Sequence, residues 1–502
     1  MIPFNRIPPN LRTPFFFAEF DNSMANSATA IQRTLLIGQM LSNAVSPVPP
    51  GIPQRVSSDS AVAGLCGSGS MLHNMATTYL ANDTSAELWI LPLADAVTGM
   101  TAAKGSIQVT SGASATGVLS LYIAGMRIQL TVVESDTPAA ITGAIVAAVN
   151  GQSRLPVVAA LKATTTDTVE LTAKNKGAHG NGLDIRLNYQ GIAGGEETPA
   201  GLALTITAMA GGAGAPELND ALGNLQDREF DFIINPYTDT TSLDTLKEFL
   251  SDATGRWAYD QQLYGHSFSA LAGTYGSLAA AGEVRNNQHE TMLGISGSPS
   301  PAYLWSTALT GAIAPSLRND PGRPLQTLTI SGVLAPPLES RFTLTERNNL
   351  LFSGISTFTV ADDGSIQVEN VITTYQKNKF GDADDSYLQV ETLFTLMFVT
   401  RFLRTQITSK FSRMKLAADG TRFAPGSAII TPNVIRAELI AQYRTLEFNG
   451  YVQDSDAFSK SLLVEKNASN PNRVDVLWTG TLINQLRIFA LLNQFRLQAS
   501  AN

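Results

Sequence analysis

The end of the chain sets the tightest limit on its fold. Residues Arg473–Gln498 read RVDVLWTGTLINQLRIFALLNQFRLQ. Val474, Val476 and Trp478 alternate with Asp475 and Leu477. Beyond Thr479-Gly480, Leu482, Leu486, Ile488, Ala490 and Leu492 fall on one parity, interrupted by Asn484. Period-two alternation is a strand pattern, although Leu482–Phe495 also fits a helix because short apolar runs are ambiguous. In either form the segment needs a cover that the Ala-Ser-Ala-Asn after Gln498 is too small to supply. As a strand it also needs an edge for its backbone groups, either an earlier strand of this chain or a neighbouring subunit.

The other end poses the same problem. Prolines at 3, 8, 9 and 14 block a helix and remove ladder donors. Phe15, Phe16, Phe17 and Phe20 are too apolar to be left in water. Residues 1–30 therefore read as an arm that docks on something.

Between the ends lie enough residues for two to four domains, in a chain of 502 that is 44% hydrophobic and 15% charged. A single cysteine, Cys66, excludes an internal disulfide and a cysteine-based metal site. No run approaches the roughly 20 apolar residues of a membrane span, and the proline-rich start lacks a signal-peptide pattern, so direct membrane insertion is not expected. A net charge of −8 argues against general nucleic-acid binding. The charge is uneven: Ser386 to the end carries +5 and the remainder −13. Such asymmetry points to an acidic partner for the C-terminal part.

Thr34–Gly38, a helical stretch Asp59–Ala81 broken at its glycines, and Glu87–Pro92 form a β-α-β opening, which predicts a parallel sheet. Composition then changes. From Met100 to Gly214 there is no Trp or Phe, and short β-coded runs appear at 107–110, 118–123, 127–133, 169–173, 183–189 and 202–208. One helix interrupts them, Pro138–Asn150, with Thr137 as N-cap. This mostly-β insert leaves through GGAGAP, Gly211–Pro216, which reads as a flexible linker. The α/β pattern resumes with Phe230–Asn235 and a helix predicted to start on a Thr241/Asp244 capping box. Past Gly332 the character changes again. A hairpin crosses Asp363-Gly364, a long helix runs from Tyr387 to about Phe411, and Thr431-Pro432 opens another. The expected architecture is an α/β core with a mostly-β inserted domain, an α+β C-terminal domain and extended terminal arms. Its boundaries are 1–30 for the arm, 31–94 plus 217–331 for the discontinuous core, 95–216 for the insert, 332–472 for the α+β domain and 473–502 for the C-terminal strand or arm.

Motifs for chemistry are weak. His73, His179, His266 and His289 form no ligand pair. Gly177–Gly182 lacks the Lys-Ser/Thr of a phosphate loop and reads as a turn. Asp382, Asp384 and Asp385 lack the later ligands of a calcium loop. Gly265–Ser269 approaches a nucleophile elbow, but its second glycine is Ser269, and the run enters a strand instead of leaving one. No catalytic residue, cofactor or metal is expected. The rival from another class is a hydrolase on the α/β core with Ser267 as nucleophile.

VITTYQ (371–376), SYLQVET (386–392), RFLRTQITSKF (401–411), IRAELIAQYRTLE (435–447) and NQLRIFALLNQFRL (484–497) closely resemble the tail sheath proteins of Mu-like contractile-tailed bacteriophages. MAGGAGAP and the β-rich run before it look like that family too. The resemblance spans nearly the whole chain and is densest after Val371. One departure is Thr479-Gly480, where a proline-containing break is expected. The resemblance implies a structural function: rings, normally of six subunits, stacked around an inner tail tube, contracting without nucleotide to drive the tube through the host envelope. It places the insert outside and the C-terminal domain inside. Its implied partners are further copies of the chain, the tube protein, and baseplate and tail terminator proteins. The implied location is the virion tail, assembled in the bacterial cytoplasm. Subunit arms would use Phe15, Phe16, Phe17 and Phe20 at one end and Val474, Val476, Trp478, Leu486, Ile488 and Leu492 at the other. Arg401, Arg404, Lys410, Arg413 and Lys415 would face the tube. The sheath of a phage-derived bacteriocin or secretion device is the near alternative.

Overall fold

The computed structural model describes residues 32–96 and 98–497. Phe15, Phe16, Phe17 and Phe20 lie outside them.

The centre is a six-stranded sheet. Arg33–Gln39 sits in its middle, parallel to Glu87–Leu93 on one side and to Phe232–Ile234 on the other. His266–Ala272 and Glu290–Ile295 extend it in parallel, and Gln54–Val56 closes the far edge in antiparallel. Strands covered on both faces carry no polar alternation, and Leu35, Leu36, Ile37, Ile233 and Leu293 are accordingly fully buried. The β-α-β opening is therefore a parallel unit, as its runs predict. The helical stretch divides into Asp59–Cys66, capped by Ser58, and Met71–Leu80, capped by Ser70. Gly64 lies inside the first helix; Gly67 and Gly69, at φ 88° and 79°, make the break. The helix Ala302–Asn319 crosses Met71–Leu80 closely, since a Cβ on Gly311 would lie 3.1 Å from the Tyr79 carbonyl. Beneath that crossing, Tyr79 donates to Asp83 at 2.7 Å and shares a hydrogen bond with Thr34, while Arg318 pairs with Asp83.

The helix after Phe232–Ile234 corrects one expectation. It spans Thr240–Phe249 and is capped by Asp239, which accepts from the Ser242 N–H at 3.0 Å, so Thr241 and Asp244 form no capping box. The Gly265–Ser269 run does enter a strand, and Ser267 is 2% exposed within it.

The insert consists of two antiparallel sheets. One orders Ala203–Ala210, Lys104–Ser111, Thr168–Ala173 and Val157–Leu161; the other orders Met126–Val132, Gly117–Ile123 and Ile185–Leu187. Val157–Leu161 was missed because VVAAL has no alternation. The predicted 183–189 strand shrinks to three residues, since Asn188 takes φ 49°. Pro138–Gly151 is the one α-helix among the described residues of this segment, with the Thr137 hydroxyl accepting from the Ala140 N–H.

Gly211–Pro216 is not a flexible linker. Ala213 and Thr101 form a β-bridge, and Asn181 bonds both the N–H and the carbonyl of Gly212. A Cβ on Gly212 would stand 2.4 Å from the Gly177 carbonyl, so the segment is glycine-rich because it is tightly packed. One apolar cluster runs from Leu35 and Met75 in the core through Ile107 and Val169 in the insert.

C-terminal to the core, Thr357–Val360 and Ile366–Asn370 form the predicted hairpin, and Thr343 with Glu346 forms a capping box on the helix Leu344–Phe352. The long helix is Val390–Phe411; it starts after Gln389, whose extended backbone bridges to Ile372. Pro432–Phe448 follows, and a small apolar cluster gathers Tyr443, Leu446, Phe458 and Val399. No helix among the described residues is long and apolar enough to cross a membrane.

Candidate assembly surface

The expected arm divides at Thr479-Gly480. Before it, Val474–Leu477 pairs in antiparallel with Leu463–Lys466, with Val476 opposite Val464. Trp478 turns back onto its own domain, 5.8 Å from the Tyr443 ring and 5.7 Å from that of Phe458. Gly480 lies under the indole, where a Cβ would come within 2.1 Å of it. Glycine thus serves at the break where proline was expected. Thr481–Leu482 pairs with Val452–Gln453, and Ile483 donates to the Tyr451 carbonyl. Val474, Val476 and Trp478 therefore belong to pairs and packing within the chain.

After Ile483 the character reverses. No helix forms over Leu482–Phe495, and the backbone runs on without turns or ladder partners to Arg496. Leu486, Ile488 and Leu492 are 69%, 83% and 83% exposed, and Phe489, Leu491, Phe495 and Leu497 are comparably bare. Both parities of the extended segment carry apolar side chains. A strand of that composition is suited to a position with both faces covered. The alternation reading registered only one of them.

The sequence reading missed what holds the root of this segment. Arg487 reaches the first turn of the helix Val390–Phe411, where it pairs with Glu391 and bonds Gln389 at 3.0 Å. Gln326 grips from the other side, donating to the Leu486 carbonyl at 3.2 Å. Glu391 is fully buried and also accepts from the Leu325 N–H. Burial raises its carboxyl above the ordinary value, and Arg487 works against that rise. An arginine inside an apolar run was the available clue, because a half-buried guanidinium requires a partner.

The basic residues also separate. Arg401 is 14% exposed and is clasped between Glu229 and Asp231. Burial pushes the Asp231 carboxyl up to about 6 against the pull of Arg401. Arg401 is thus a link between the long helix and the core sheet, with its charge already matched. Lys410 pairs with Glu438 at the surface, and Arg404, Arg413 and Lys415 are exposed. These four lie on or just beyond the later half of the helix.

The candidate chemical residues are dispersed. His266 is fully buried, with Nε2 on the Thr291 hydroxyl, and burial holds it well below the ordinary histidine value. His289 contacts Asp252, while His179 lies near Tyr237 and Tyr303 and is pushed down to about 4 by burial. Asp384 accepts from Tyr375 and Ser386 beside a turn. No group of three His, Cys, Asp or Glu among the described residues is placed to hold a metal.

Three family models match the chain: the phage tail sheath protein beta-sandwich domain over 85–220, the central domain over 211–374 and the C-terminal domain over 382–496. The Mu-like prophage FluMu tail sheath protein of Haemophilus influenzae is 42% identical over 496 residues, covering 98% of this chain and 99% of that one. Among solved structures, the sheath tail protein of Desulfitobacterium hafniense matches at 15% identity, with 95% and 97% of the chains covered and a TM-score of 0.47. The anti-feeding prophage helical sheath in its contracted state matches at 12% identity, with 97% and 100% covered and a TM-score of 0.44. On the family models and the close relative, this chain belongs to the phage tail sheath family: it is a structural tail sheath subunit, not an enzyme.

Proposed function

We propose that the chain polymerises as stacked rings of six around an inner tail tube, and that contraction of this polymer drives the tube through the host envelope. The observation that carries the reading is the bare, extended, apolar segment 486–497 in a chain of this family. Ile488 and Leu492 leave the subunit and pair with a sheet edge of a neighbouring copy, with Leu486 at the root of the departing strand. Each backbone bond so formed contributes about 0.5–1.5 kcal/mol net, and burial of leucine and phenylalanine adds to it. The N-terminal arm, with Phe15, Phe16, Phe17 and Phe20, makes a second link of the same kind. Subunits tied by paired strands shift past one another while remaining connected.

Residues 95–216 form the outside of the tube and the domain from 332 onward its inside. Arg404, Lys410, Arg413 and Lys415 then face an acidic tube protein. The extended polymer is metastable and needs no nucleotide. Baseplate and terminator proteins complete the set of partners, and the virion tail assembles in the bacterial cytoplasm. Negative-stain microscopy of the purified full chain tests the reading. Long hollow tubes are the expected result. Discrete particles under all conditions overturn it. Removal of residues 1–20 is expected to abolish long tubes while leaving the circular dichroism unchanged.

A further inference from the structure

The last firmly held residue before the bare segment is Arg487. Upstream, Thr481–Leu482 is in a ladder and Ile483 is bonded to Tyr451. Downstream, Ile488 and Phe489 are 83% and 82% exposed. Between the two stands a three-sided clamp. Glu391 and Gln389 take the guanidinium at the start of one helix, and Gln326 takes both the guanidinium and the adjacent main-chain carbonyl. Two separate stretches of chain, 389–391 and Gln326, converge on this one side chain.

The pair is also incompletely matched. Contact is through a single carboxylate oxygen, while Glu391 Oε2 and Arg487 Nε make no hydrogen bond among the described residues. A two-point arginine–carboxylate fork would use both oxygens and hold more strongly. A buried pair with one unmatched donor and one unmatched acceptor offsets much of its attraction with desolvation. That combination suits a contact which holds firmly yet opens under load.

We propose that Arg487 and Glu391 form a releasable latch that sets the free length of the C-terminal arm. Closed, it leaves Ile488–Leu497 to reach a neighbour, a span of about 33 Å when extended. Open, it frees the chain back to Leu482 and adds about 17 Å of reach. The subunit thereby carries two defined arm lengths, matched to two spacings between neighbours. The inference rests on the reading that the arm is donated to another copy, and the test separates the two.

Full-length Glu391→Gln, Arg487→Gln and the double variant are compared with the parent chain. With the latch broken, the Ile483 amide, held to the Tyr451 carbonyl at 3.2 Å, is expected to exchange about a hundredfold faster in unassembled subunits, whereas those of 452–453 remain as protected as before. Tubes still form, and extended sheaths contract at lower urea. Arg487→Lys restores part of both properties, which a general loss of folding would not permit. Unchanged exchange at Ile483 overturns the latch. Faster exchange with an unchanged contraction threshold overturns its role in setting arm length. Removal of 488–497 reports on donation alone. If that variant forms normal tubes, the donated arm is refuted whatever the exchange data show. If it fails to form tubes while the latch variants behave as the parent, only the latch is refuted.

Discussion

The insert and the C-terminal segment are both rich in small and apolar residues, and the chain treats them in opposite ways. In the insert Ile107, Val109, Leu119, Leu121, Ile145 and Leu171 are all buried and join the apolar cluster shared with the core. In the last dozen described residues Ile488, Phe489, Leu491 and Leu492 all stand in solvent. Hydrophobic content is therefore no guide to burial. What separates the two is whether the complementary surface is encoded in the same chain. Polar groups follow the same division. Asn175 of the insert bonds the Met71 N–H and the Met40 carbonyl of the core, whereas most of the terminal backbone has no partner in its own subunit.

Breaking this contrast at its strong end requires removing residues 488–497. Long tubes are expected to disappear, while the melting temperature of the isolated subunit stays within a degree or two, because no core contact is lost. Negative-stain images and a thermal melt together check it. A large drop in melting temperature would mean that the segment folds back on its own subunit.

The next largest effect separates two arginines of one helix. Arg401→Gln leaves Asp231 buried beside Glu229 without its partner and is expected to cost about 3–5 kcal/mol in urea unfolding. Arg404→Gln, at an exposed position, should change stability by less than about 0.5 kcal/mol and act only on assembly. Equal effects would show that burial does not distinguish them. On the insert side, Asn175→Ala strips two buried main-chain groups of their bonds and should cost about 1–3 kcal/mol by the same measurement.

A smaller effect concerns acid. His179, held at about 4, refuses a proton that the unfolded chain accepts below its ordinary value of 6.5. Stability is therefore lost as pH falls from 6.5 toward 4, at no more than about 1.4 kcal/mol per pH unit for this group. Asp231 acts in the other sense: held at about 6, it adds stability as pH falls from 6 toward 3.8. Comparing His179→Gln with the parent at each pH removes the Asp231 contribution. The loss between pH 7 and 5 should shrink by up to about 2 kcal/mol in the variant. An unchanged slope would place His179 in a solvated position.

Much of the fold was legible because local patterns and packing agree. Parallel strands showed as unbroken apolar runs, and helix starts were marked by Thr137 as an N-cap and by Pro432 at the first helical position. Misreadings arose where a tertiary contact overrode a local preference. Gly211–Pro216 has the composition of a loose tether, yet carbonyls from Gly177 and Gly99 press against Gly212 and Gly214. Trp478 sits in a period-two run but fills a gap beside Tyr443 and Phe458 that no pattern reveals. The candidate assembly surface was legible as an uncovered apolar run. Its anchor was not, because Glu391 and Arg487 are 96 residues apart and meet only through the fold.

The bridge between Thr101 and Ala213 has one more consequence. It brings the two crossings of the insert to a single neck, closed by hydrogen bonds of 3.1 and 3.3 Å. The core strands on either side register only that the chain departs and returns at that point. Entry and exit at one point do not make the insert detachable: the apolar cluster it shares with the core would have to be rebuilt by any module put in its place. The Asn175 contacts add a polar requirement, since a replacement must also satisfy the main chain of Met40 and Met71.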